Sequence, residues 1–325
     1  MPNPLRRLVI AFDLPSPWVA RIEAEYPDLE VVLCADLERL PEVLPGAQAL
    51  MAGWWPDPEQ TRTVLRHGRQ LAWIQTAGAG VDGMLTRELR QRNVVVTNMS
   101  GVHAHNIGEH VLAMMLAFAR GLVQILPHRE RREWWRPADG VFELRGQTLA
   151  VVGLGAIGQA VAQRAQALGM RVIGSRRNPT GPVPGVVRVY GQDQLHAMLS
   201  DADHVAVCLP LTDATRGLFG AEAFAAMRPG AYFYNIGRGR TVDQDALVAA
   251  LRSGRLGGAG LDVTDPEPLP PDSPLWELPN TLITCHSAGM TPHYWDRAIP
   301  LLLANIGRFR AGQPLLNVVD LQEGY

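Results

Sequence analysis

The sequence predicts an α/β protein built from two domains, each a parallel sheet with helices on both faces. The chain has 325 residues, of which 47% are hydrophobic, and this length exceeds the usual size of one domain. Short apolar runs of strand length alternate with longer runs in which apolar residues have helical spacing. A glycine-rich turn joins one strand to one helix near the middle of the chain. These three observations favour parallel sheets of the doubly wound type.

The first part of the chain contains five predicted strands. Helices are predicted between them, for example over residues 18–25 and 58–67, as parallel pairing requires. This β-α-β succession predicts a first parallel sheet. Its strands are short apolar runs at residues 8–12, 30–33, 49–52, 71–75 and 94–97.

A glycine-rich loop follows the fourth of these strands. Its glycines, Gly78, Gly80 and Gly83, have the spacing of a dinucleotide-binding turn, but the helix predicted after them, over residues 83–91, is short and polar. We interpret the loop as a set of free backbone N–H groups at the carboxyl end of a strand, able to bind a small anion such as a carboxylate. A plain tight turn is an equally good interpretation.

The second part of the chain begins with a long apolar helix, predicted over residues 107–126. It is apolar on all sides, which predicts burial between domains or subunits, and its methionines are interpreted as core packing. Segments rich in Gly or Pro, at 178–185 and 265–274, are predicted loops, and a last amphipathic helix is predicted over 295–310. Five further strands are predicted at residues 170–175, 204–208, 231–236, 258–262 and 281–286.

One turn in this second part has the features of a dinucleotide-binding site. A buried strand over residues 149–152 is followed by Gly153, Gly155 and Gly158, and a helix covers 156–168. Gly153 allows the tight turn, Gly155 lets the backbone approach a pyrophosphate, and Gly158 lets the helix pack closely on the strand. The N-terminus of the helix offers free N–H groups to the phosphates. The turn therefore predicts a dinucleotide cofactor.

Three side chains suited to acid–base chemistry and anion binding lie at or beyond the ends of strands in the second part. They are Arg238, Glu267 and His286, and they can converge because the carboxyl ends of parallel strands share one edge of the sheet. His286 is a suitable proton donor to a carbonyl oxygen, and Glu267 would favour its imidazolium and fix its tautomer. Arg238 can bind a carboxylate with two hydrogen bonds. The set predicts hydride transfer between a nicotinamide and a carbonyl compound, although each residue alone has an ordinary structural explanation.

Composition argues against several other classes of protein. The net charge of −2 disfavours a nucleic acid or a membrane surface as the main partner. Three widely spaced cysteines fit neither a disulfide framework nor a zinc site, and they suit a reducing cytoplasm. No apolar stretch reaches the length of a membrane span. His103, His105 and His110 lie close in sequence, but their spacing disfavours a metal site. We predict a cytoplasmic protein without a metal.

The sequence resembles the D-isomer-specific 2-hydroxyacid dehydrogenases over almost its whole length. The resemblance implies two Rossmann-like doubly wound parallel-sheet domains with the active site in the interdomain cleft, and it implies a homodimer. It assigns residues 1–99 and 291–325 to a flavodoxin-like substrate domain and residues 100–290 to the dinucleotide-binding domain. The motifs that carry it are Gly153-Leu-Gly-Ala-Ile-Gly158, Leu209-Pro-Leu-Thr-Asp-Ala-Thr215, Asn235-Ile-Gly-Arg-Gly239, Leu261-Asp-Val with Glu267-Pro-Leu269, and His286-Ser-Ala-Gly289.

The resemblance also implies roles for individual residues. Arg238, Glu267 and His286 match the catalytic residues of the family, and Asp262 matches its carboxamide-binding aspartate. With those argued from the residues themselves, the residues predicted to bind the substrate are Ala77, Gly78, Ala79, Gly80, Trp54, Arg238 and His286. Those predicted to bind the cofactor are Gly153, Leu154, Gly155, Ala156, Ile157, Gly158, Ser175, Arg176, Arg177, Leu209, Pro210, Thr215, Ile236, Gly237, Arg238, Asp262, His286, Ala288 and Gly289.

The end of the strand after the glycine turn indicates which dinucleotide is preferred. Family members that prefer NAD have an acidic residue there, which binds the ribose hydroxyls. This chain has Ser175, Arg176 and Arg177 instead, and these side chains can hold a 2′-phosphate by charge-assisted hydrogen bonds. We therefore predict NADP(H) as the preferred cofactor and NAD(H) as the second choice. The alternative is that the two arginines are only solvated surface residues.

These features and the family resemblance predict an NADPH-dependent reductase of small 2-oxoacids, which in reverse oxidises a D-2-hydroxyacid. The chain resembles the glyoxylate/hydroxypyruvate reductase branch of the family, which implies glyoxylate or hydroxypyruvate as substrates. Trp54, Trp55 and Trp295 either shape the substrate pocket, which would then favour bulkier 2-oxoacids, or pack in the core. Formate dehydrogenases resemble the chain but have Gln in place of the acid partner of His, so Glu267 argues against that activity, whereas phosphite oxidation is excluded less well. A nucleotide-sensing binding protein, similar to the co-repressors of this superfamily, is the alternative from another class.

Overall fold

The structure is a computed structural model that describes residues 5–54, 57–136 and 140–325. These residues form two compact units. The first unit comprises Met1–Val102 and Thr291–Tyr325, and the second comprises His103–Met290. The division lies close to the predicted domain limits at 99 and 290, while the roles assigned to the two domains stay predictions.

The first unit contains a five-stranded parallel sheet. Its strands are β1 (Arg7–Ile10), β2 (Glu30–Leu33), β3 (Ala49–Ala52), β4 (Trp73–Thr76) and β5 (Val95–Thr97). Their order across the sheet is β2-β1-β3-β4-β5, and every neighbouring pair is parallel. The winding therefore reverses between β1 and β3. In doubly wound sheets, ligand sites lie beyond the carboxyl ends of the strands at such a reversal.

Four helices connect these strands: α1 (Ser16–Glu25), α2 (Leu40–Val43), α3 (Pro58–His67) and α4 (Arg87–Arg90). The side chain of Asp57 caps α3 by accepting a hydrogen bond from the backbone N–H of Gln60 at 2.8 Å. The single helix predicted over 83–91 is wrong. A short 3-10 helix, Asp82–Met84, comes first, and α4 then starts anew because the hydroxyl of Thr86 caps it.

The second unit contains a seven-stranded parallel sheet. Its strands are β6 (Thr148–Val152), β7 (Arg171–Ser175), β8 (Arg188–Tyr190), β9 (His204–Val207), β10 (Ala231–Asn235), β11 (Leu256–Leu261) and β12 (Thr281–Ile283). The order is β12-β11-β10-β9-β6-β7-β8, which is the Rossmann winding with its reversal between β6 and β9. β8, which has three residues, is not among the predicted strands. The strand predicted to reach residue 286 ends at Ile283, and beyond it the backbone N–H groups of Thr284 and His286 donate to the carbonyls of Leu261 and Asp262.

The described residues of the second unit form six α-helices: α5 (Ala104–Ala119), α6 (Leu122–Glu130), α7 (Ala156–Ala167), α8 (Leu195–Ser200), α9 (Ala221–Ala226) and α10 (Gln244–Arg252). The last helix of the chain, α11 (Tyr294–Arg310), belongs to the first unit, where Ile299, Leu302 and Ile306 are fully buried. The two units thus confirm the predicted α/β class with two parallel sheets.

The single helix predicted over 107–126 is wrong, because α5 and α6 are separate helices bent by 75°. Gly121 lies between them with φ of 67°, a left-handed conformation that ends α5. The burial of α5 is explained within its own unit, since the side chain of Met114 packs over Gly260 of β11. In the described part of the chain no single helix is long and apolar enough to cross a membrane. Only the bent pair of α5 and α6 meets the criteria of length and composition.

A buried histidine lies in the core of the second unit. His204, the first residue of β9, is completely buried, and its Nδ1 lies 3.2 Å from the hydroxyl of Tyr234 while its Nε2 faces the amide oxygen of Gln147. The rings of Tyr232 and Tyr234 stack on it. Burial lowers the pKa of His204 from 6.5 to about 4, so the imidazole is neutral in the folded protein.

We expect His204 to make the second unit less stable in mild acid. Below pH 6.5 the unfolded chain protonates this imidazole and the folded chain does not, so stability falls from pH 6.5 down to about 4. Between neutral pH and about pH 5 the loss amounts to roughly 2 kcal/mol. The free energy of urea unfolding, measured at both pH values for the wild type and for His204→Gln, should show a smaller difference in the variant.

The matched control for this measurement is His196→Gln, because His196 lies exposed on α8. Its pH dependence should equal that of the wild type. Identical pH dependence in His204→Gln and the wild type would contradict the assignment of the acid sensitivity to His204.

Candidate active site

The glycine turn after β6 places helix α7 directly against the sheet. Gly153 has φ of 100°, and a Cβ atom there would lie 2.9 Å from the carbonyl oxygen of Cys208. A Cβ atom at Gly158 would overlap the carbonyl oxygen of Gly153. The backbone N–H groups of Gly153 and Leu154 both donate to the carbonyl of Ser175, at 3.1 and 3.0 Å. Glycine is therefore required at both positions for the turn and the close helix packing.

Gly155 differs from its two neighbours in the motif. It is the N-cap of α7, no side chain caps the helix there, and a Cβ atom would meet nothing within 4 Å. The space in front of the helix N-terminus is thus open, and Ala156 and Ile157 begin the helix beside it. An N-terminus of this kind attracts phosphate through its N–H groups and dipole.

The end of β7 carries the residues predicted to select the dinucleotide. Ser175 is buried, Arg176 is half-buried and Arg177 is exposed. One nitrogen of the Arg176 guanidinium donates hydrogen bonds to the carbonyls of Thr180 and Gly181, so this side chain braces the following loop. No carboxylate occupies residues 175–178.

The turn after β9 is held by its own side chains. The hydroxyl of Thr215 donates to the carbonyl of Pro210 at 2.7 Å and accepts from the backbone N–H of Thr212 at 2.8 Å. A Cβ atom at Gly237 would lie 2.5 Å from the carbonyl oxygen of Leu209. Thr215 therefore shapes this turn, and Gly237 lets the turns after β9 and β10 approach each other.

His286 and Glu267 form a direct pair beyond the ends of β11 and β12. Nδ1 of His286 lies 2.8 Å from Oε2 of Glu267, and Oε1 of Glu267 accepts a hydrogen bond from the backbone N–H of Thr264 at 3.1 Å. Partial burial raises the pKa of Glu267. The hydrogen bond and charge of His286, the N–H of Thr264 and the charge of Arg238 outweigh that effect, so the net pKa lies below the usual value. Glu267 is therefore a carboxylate at neutral pH.

Arg238 is held near this pair by a braced turn after β10. Its carbonyl oxygen accepts hydrogen bonds from Asn235 Nδ2 at 3.0 Å and from the hydroxyl of Thr241 at 2.7 Å. A Cβ atom at Gly239 would overlap the carbonyl group of Thr264. The turn that carries Arg238 thus lies against the loop that carries Glu267, and the charge of Arg238 acts on the carboxylate that pairs with His286.

Asp262, at the end of β11, organises the turn that contains His286. Its Oδ1 accepts from the hydroxyl of Thr284 at 2.6 Å and from the N–H of Ser287 at 2.9 Å, and its Oδ2 accepts from the N–H of Ala288 at 3.0 Å. Its carbonyl accepts from the N–H of His286 at 2.8 Å. A carboxylate offers about four acceptor positions, so these bonds leave about one on Oδ2.

The loop after β4 in the first unit directs its carbonyl groups into the protein. The carbonyl of Ala77 accepts from the hydroxyl of Tyr294 at 2.6 Å, that of Gly78 from the hydroxyl of Thr76 at 2.8 Å, and that of Ala79 from Asn98 Nδ2 at 2.9 Å. Within the described ranges of the chain, no hydrogen bond uses the backbone N–H of Gly78, Ala79 or Gly80. Three neighbouring donors are therefore left for a ligand, as the anion-binding interpretation requires.

The predicted pocket tryptophans pack with one another in the first unit. The ring of Trp54 lies 5.0 Å from Phe12, 5.5 Å from Tyr294 and 5.8 Å from Trp295. Trp55 lies outside the described residues. An apolar pocket of about 220 Å³ opens beside Trp54, beyond the ends of β1 and β3, where the winding of the sheet reverses. Its walls include Leu37, Leu40, Val64, Met84 and Trp54.

Comparison with known proteins identifies the family. Residues 112–288, more than half of the chain, match the family model for the NAD-binding domain of D-isomer specific 2-hydroxyacid dehydrogenases. The chain belongs to this family. It is therefore an NAD(P)-dependent oxidoreductase of the 2-hydroxyacid dehydrogenase type, and nothing in these comparisons points to a nucleic acid or a membrane as partner.

Several individual relatives align with most of the chain. The glyoxylate/hydroxypyruvate reductase B of Salmonella schwarzengrund is 33% identical and aligns with 87% of this chain and 88% of its own length. Two solved structures each cover 98% of this chain and 99% of their own. One is a 2-hydroxyacid dehydrogenase from Xanthobacter autotrophicus Py2 with NADPH and MES (33% identity, TM-score 0.84). The other is an NADPH-dependent glyoxylate/hydroxypyruvate reductase from Sinorhizobium meliloti with NADP and sulfate (30%, 0.83). A D-3-phosphoglycerate dehydrogenase from Methanocaldococcus jannaschii is 32% identical, and the chain spans 57% of its length.

The histidines near the start of α5 do not gather in this member of the 2-hydroxyacid dehydrogenase family. Nδ1 of His103 lies 2.9 Å from the carbonyl of Gly289, Nδ1 of His105 faces Arg164, and Nε2 of His110 faces Thr284. Among the residues that the structure describes, no group of three His, Cys, Asp or Glu side chains could hold a metal ion.

Sequence reasoning did not find several residues that build the dehydrogenase site. Tyr294 and Asn98 fix the loop after β4, and Thr284 and His110 contact Asp262 or its partners. Each acts through a hydrogen bond to a residue far away in the sequence, so no local pattern reveals it. Asn235 is an exception, because it stands inside a motif that the resemblance already marks.

Proposed function

We propose that this chain is an NADPH-preferring reductase of small 2-oxoacids such as glyoxylate or hydroxypyruvate, which forms D-2-hydroxyacids. The observation that carries the proposal is the contact of 2.8 Å between His286 and Glu267, with the charge of Arg238 acting on the same carboxylate. A histidine held by a carboxylate is suited to donate a proton, and an arginine beside it is suited to bind the carboxylate of a substrate.

Each residue then has a defined task. The N–H groups of Gly78, Ala79 and Gly80, together with Arg238, bind the substrate carboxylate. Glu267 accepts a hydrogen bond from the Nδ1–H of His286 and stabilises the imidazolium, so proton donation to the carbonyl oxygen falls to Nε2. Arg238 also polarises the carbonyl group. The product is the 2-hydroxyacid.

The residues of the second unit fit a dinucleotide. The open space at Gly155 and the N-terminus of α7 would take the pyrophosphate, the turns containing Leu209, Pro210 and Ile236 would line the site, and the remaining acceptor position on Asp262 would take the carboxamide. The bound nicotinamide supplies the hydride in this chemistry. Arg176 and Arg177 would bind the 2′-phosphate of NADP(H).

The preference for NADP(H) is tested by replacing both arginines. In Arg176→Ala/Arg177→Ala we expect the KM for NADPH to rise roughly tenfold or more, because two charge-assisted contacts to the 2′-phosphate are lost. The KM for NADH should stay within about twofold, since NADH has no such phosphate. Steady-state kinetics with both cofactors measure this change.

The control variant is Arg171→Ala, at the other end of the same strand, where the side chain is exposed. It should leave both KM values unchanged. An unchanged KM for NADPH in the double variant would show that the arginines do not bind the 2′-phosphate. Single variants add a further distinction, because Arg176 also braces the loop at Thr180 and Gly181.

The proposed reaction is tested with a panel of 2-oxoacids and both cofactors, followed by the absorbance of the reduced nicotinamide. Glyoxylate and hydroxypyruvate should be reduced with NADPH. Pyruvate and phenylpyruvate belong in the panel because the apolar pocket of about 220 Å³ in the first unit has room for an aryl group. Failure to turn over any 2-oxoacid, with NADPH binding intact, would contradict the proposal and favour a nucleotide-binding role.

The homodimer and the cytoplasmic location stay predictions from the family resemblance and the cysteine content.

A further inference from the structure

A chain of three polar side chains connects helix α5 to the turn that carries His286. Nε2 of His110, on α5, lies 3.0 Å from the hydroxyl oxygen of Thr284, and that hydroxyl lies 2.6 Å from Oδ1 of Asp262. Nε2 of His110 is itself 3.7 Å from the same carboxylate oxygen. The side chain of Asp262 is 3% exposed and that of His110 is 22% exposed, so these hydrogen-bonded groups are largely shielded from water.

The chemistry of the three groups sets the direction of their hydrogen bonds. An ionised carboxylate only accepts, so the single hydroxyl proton of Thr284 points to Asp262. The oxygen of Thr284 then has only lone pairs to offer His110, and Nε2 of His110 must carry a proton. His110 is therefore the donor at one end, and Asp262 the acceptor at the other.

Asp262 also holds the backbone of the turn that carries His286. It binds the backbone N–H groups of Ser287 and Ala288 through its side chain and that of His286 through its carbonyl. His286 has φ of 53°, a left-handed conformation that is uncommon for a residue with a side chain and persists only where surrounding contacts enforce it. A rotation of the Asp262 carboxylate would release two of these contacts.

We propose that Thr284 and His110 are positioning residues, which fix the carboxylate of Asp262 and thereby hold the turn that presents His286. Neither needs to touch the substrate or the cofactor. This inference rests on the proposed function, in which His286 donates the proton. A displacement of about 1 Å at a reacting group can lower a rate by roughly 100-fold, so a loosened turn would lower kcat more than it alters KM.

The test uses two pairs of variants that keep or remove one hydrogen-bonding group. Thr284→Ser keeps the hydroxyl and Thr284→Val removes it, while His110→Gln keeps an N–H donor and His110→Leu removes it. For the Val and Leu variants we expect kcat for 2-oxoacid reduction to fall roughly 10- to 100-fold, with the KM for the 2-oxoacid within about threefold. The Ser and Gln variants should stay within about threefold of the wild type in both parameters.

Hydrogen exchange of the protein without cofactor or substrate provides a readout that does not depend on activity. Mass spectrometry of peptides covering residues 284–289 should show backbone exchange roughly tenfold faster in Thr284→Val and near wild-type exchange in Thr284→Ser. Equal exchange and equal kcat in the Val variant and the wild type would overturn the inference. If Thr284→Val exchanges faster than the wild type but the wild type reduces no 2-oxoacid, the positioning role would be retained and the proposed function rejected.

Discussion

Replacing His286 with glutamine is expected to lower kcat for 2-oxoacid reduction by about 10²- to 10⁴-fold, which is the usual contribution of a general acid. Glutamine fills a similar volume and can form a hydrogen bond with Glu267. Its amide group cannot donate a proton to the carbonyl oxygen, as Nε2 of the imidazolium can. The dissociation constant of NADPH, measured by tryptophan fluorescence, should change by less than about threefold, since the phosphate-binding turn follows β6, which lies four strands from β12 across the sheet.

The control for this variant is again His196→Gln, which removes an exposed histidine of α8 and should leave kcat unchanged. Thermal unfolding of both variants should match the wild type, because His286 is only partly buried. If His286→Gln kept more than about a tenth of the wild-type kcat, proton donation would have to come from another group or from water, and the pair with Glu267 would be structural.

The sheet edge that carries this histidine could be predicted from the sequence for a physical reason. A parallel strand buried on both faces appears as a continuous apolar run, and Gly153, Gly155 and Gly158 are needed because backbone groups approach one another there. Once the strands are located, their carboxyl ends must share an edge, so Arg238 and His286 are expected to be neighbours without any knowledge of the loops.

The contacts that hold these residues could not be predicted in the same way. The bonds from Tyr294 to Ala77 and from His110 to Thr284 join residues 217 and 174 positions apart, and local spacing contains no information about them. The break at Gly121 was also missed, because a single glycine inside an apolar run is often tolerated in a helix, and only its left-handed conformation shows that the helix ends.

Several predicted site residues also hold the backbone of a nearby turn or loop, which a sequence motif does not reveal. Asp262 uses most of its acceptor positions to bind the turn around His286. The hydroxyl of Thr215 closes the turn after β9, and Arg176 donates to two carbonyls of its own loop. Motif matching assigns each of them to the cofactor alone. The structure shows that a change at any of the three would also alter the backbone that presents neighbouring site residues.

Two alanine substitutions in the glycine turn are expected to have large effects on two different properties, cofactor binding and stability. Gly155→Ala should fold like the wild type, because the new Cβ atom meets nothing within 4 Å and the backbone there is extended. It should raise the dissociation constant of NADPH at least about tenfold, since the methyl group enters the space where a pyrophosphate would approach the backbone. Isothermal titration with NADPH and thermal unfolding measure the two properties separately.

Gly158→Ala should instead lower stability, by about 1–3 kcal/mol or more, because its Cβ atom would overlap the carbonyl oxygen of Gly153 and force α7 away from β6. The matched control is Gly220→Ala. Gly220 is the N-cap of α9, with extended backbone close to that of Gly155 and no atom nearer than 3.8 Å to an added Cβ, and its substitution should change neither property. If Gly155→Ala bound NADPH as tightly as Gly220→Ala, the open space before α7 would not be the pyrophosphate site. A destabilised Gly155→Ala would show that this space is needed for folding rather than for a ligand.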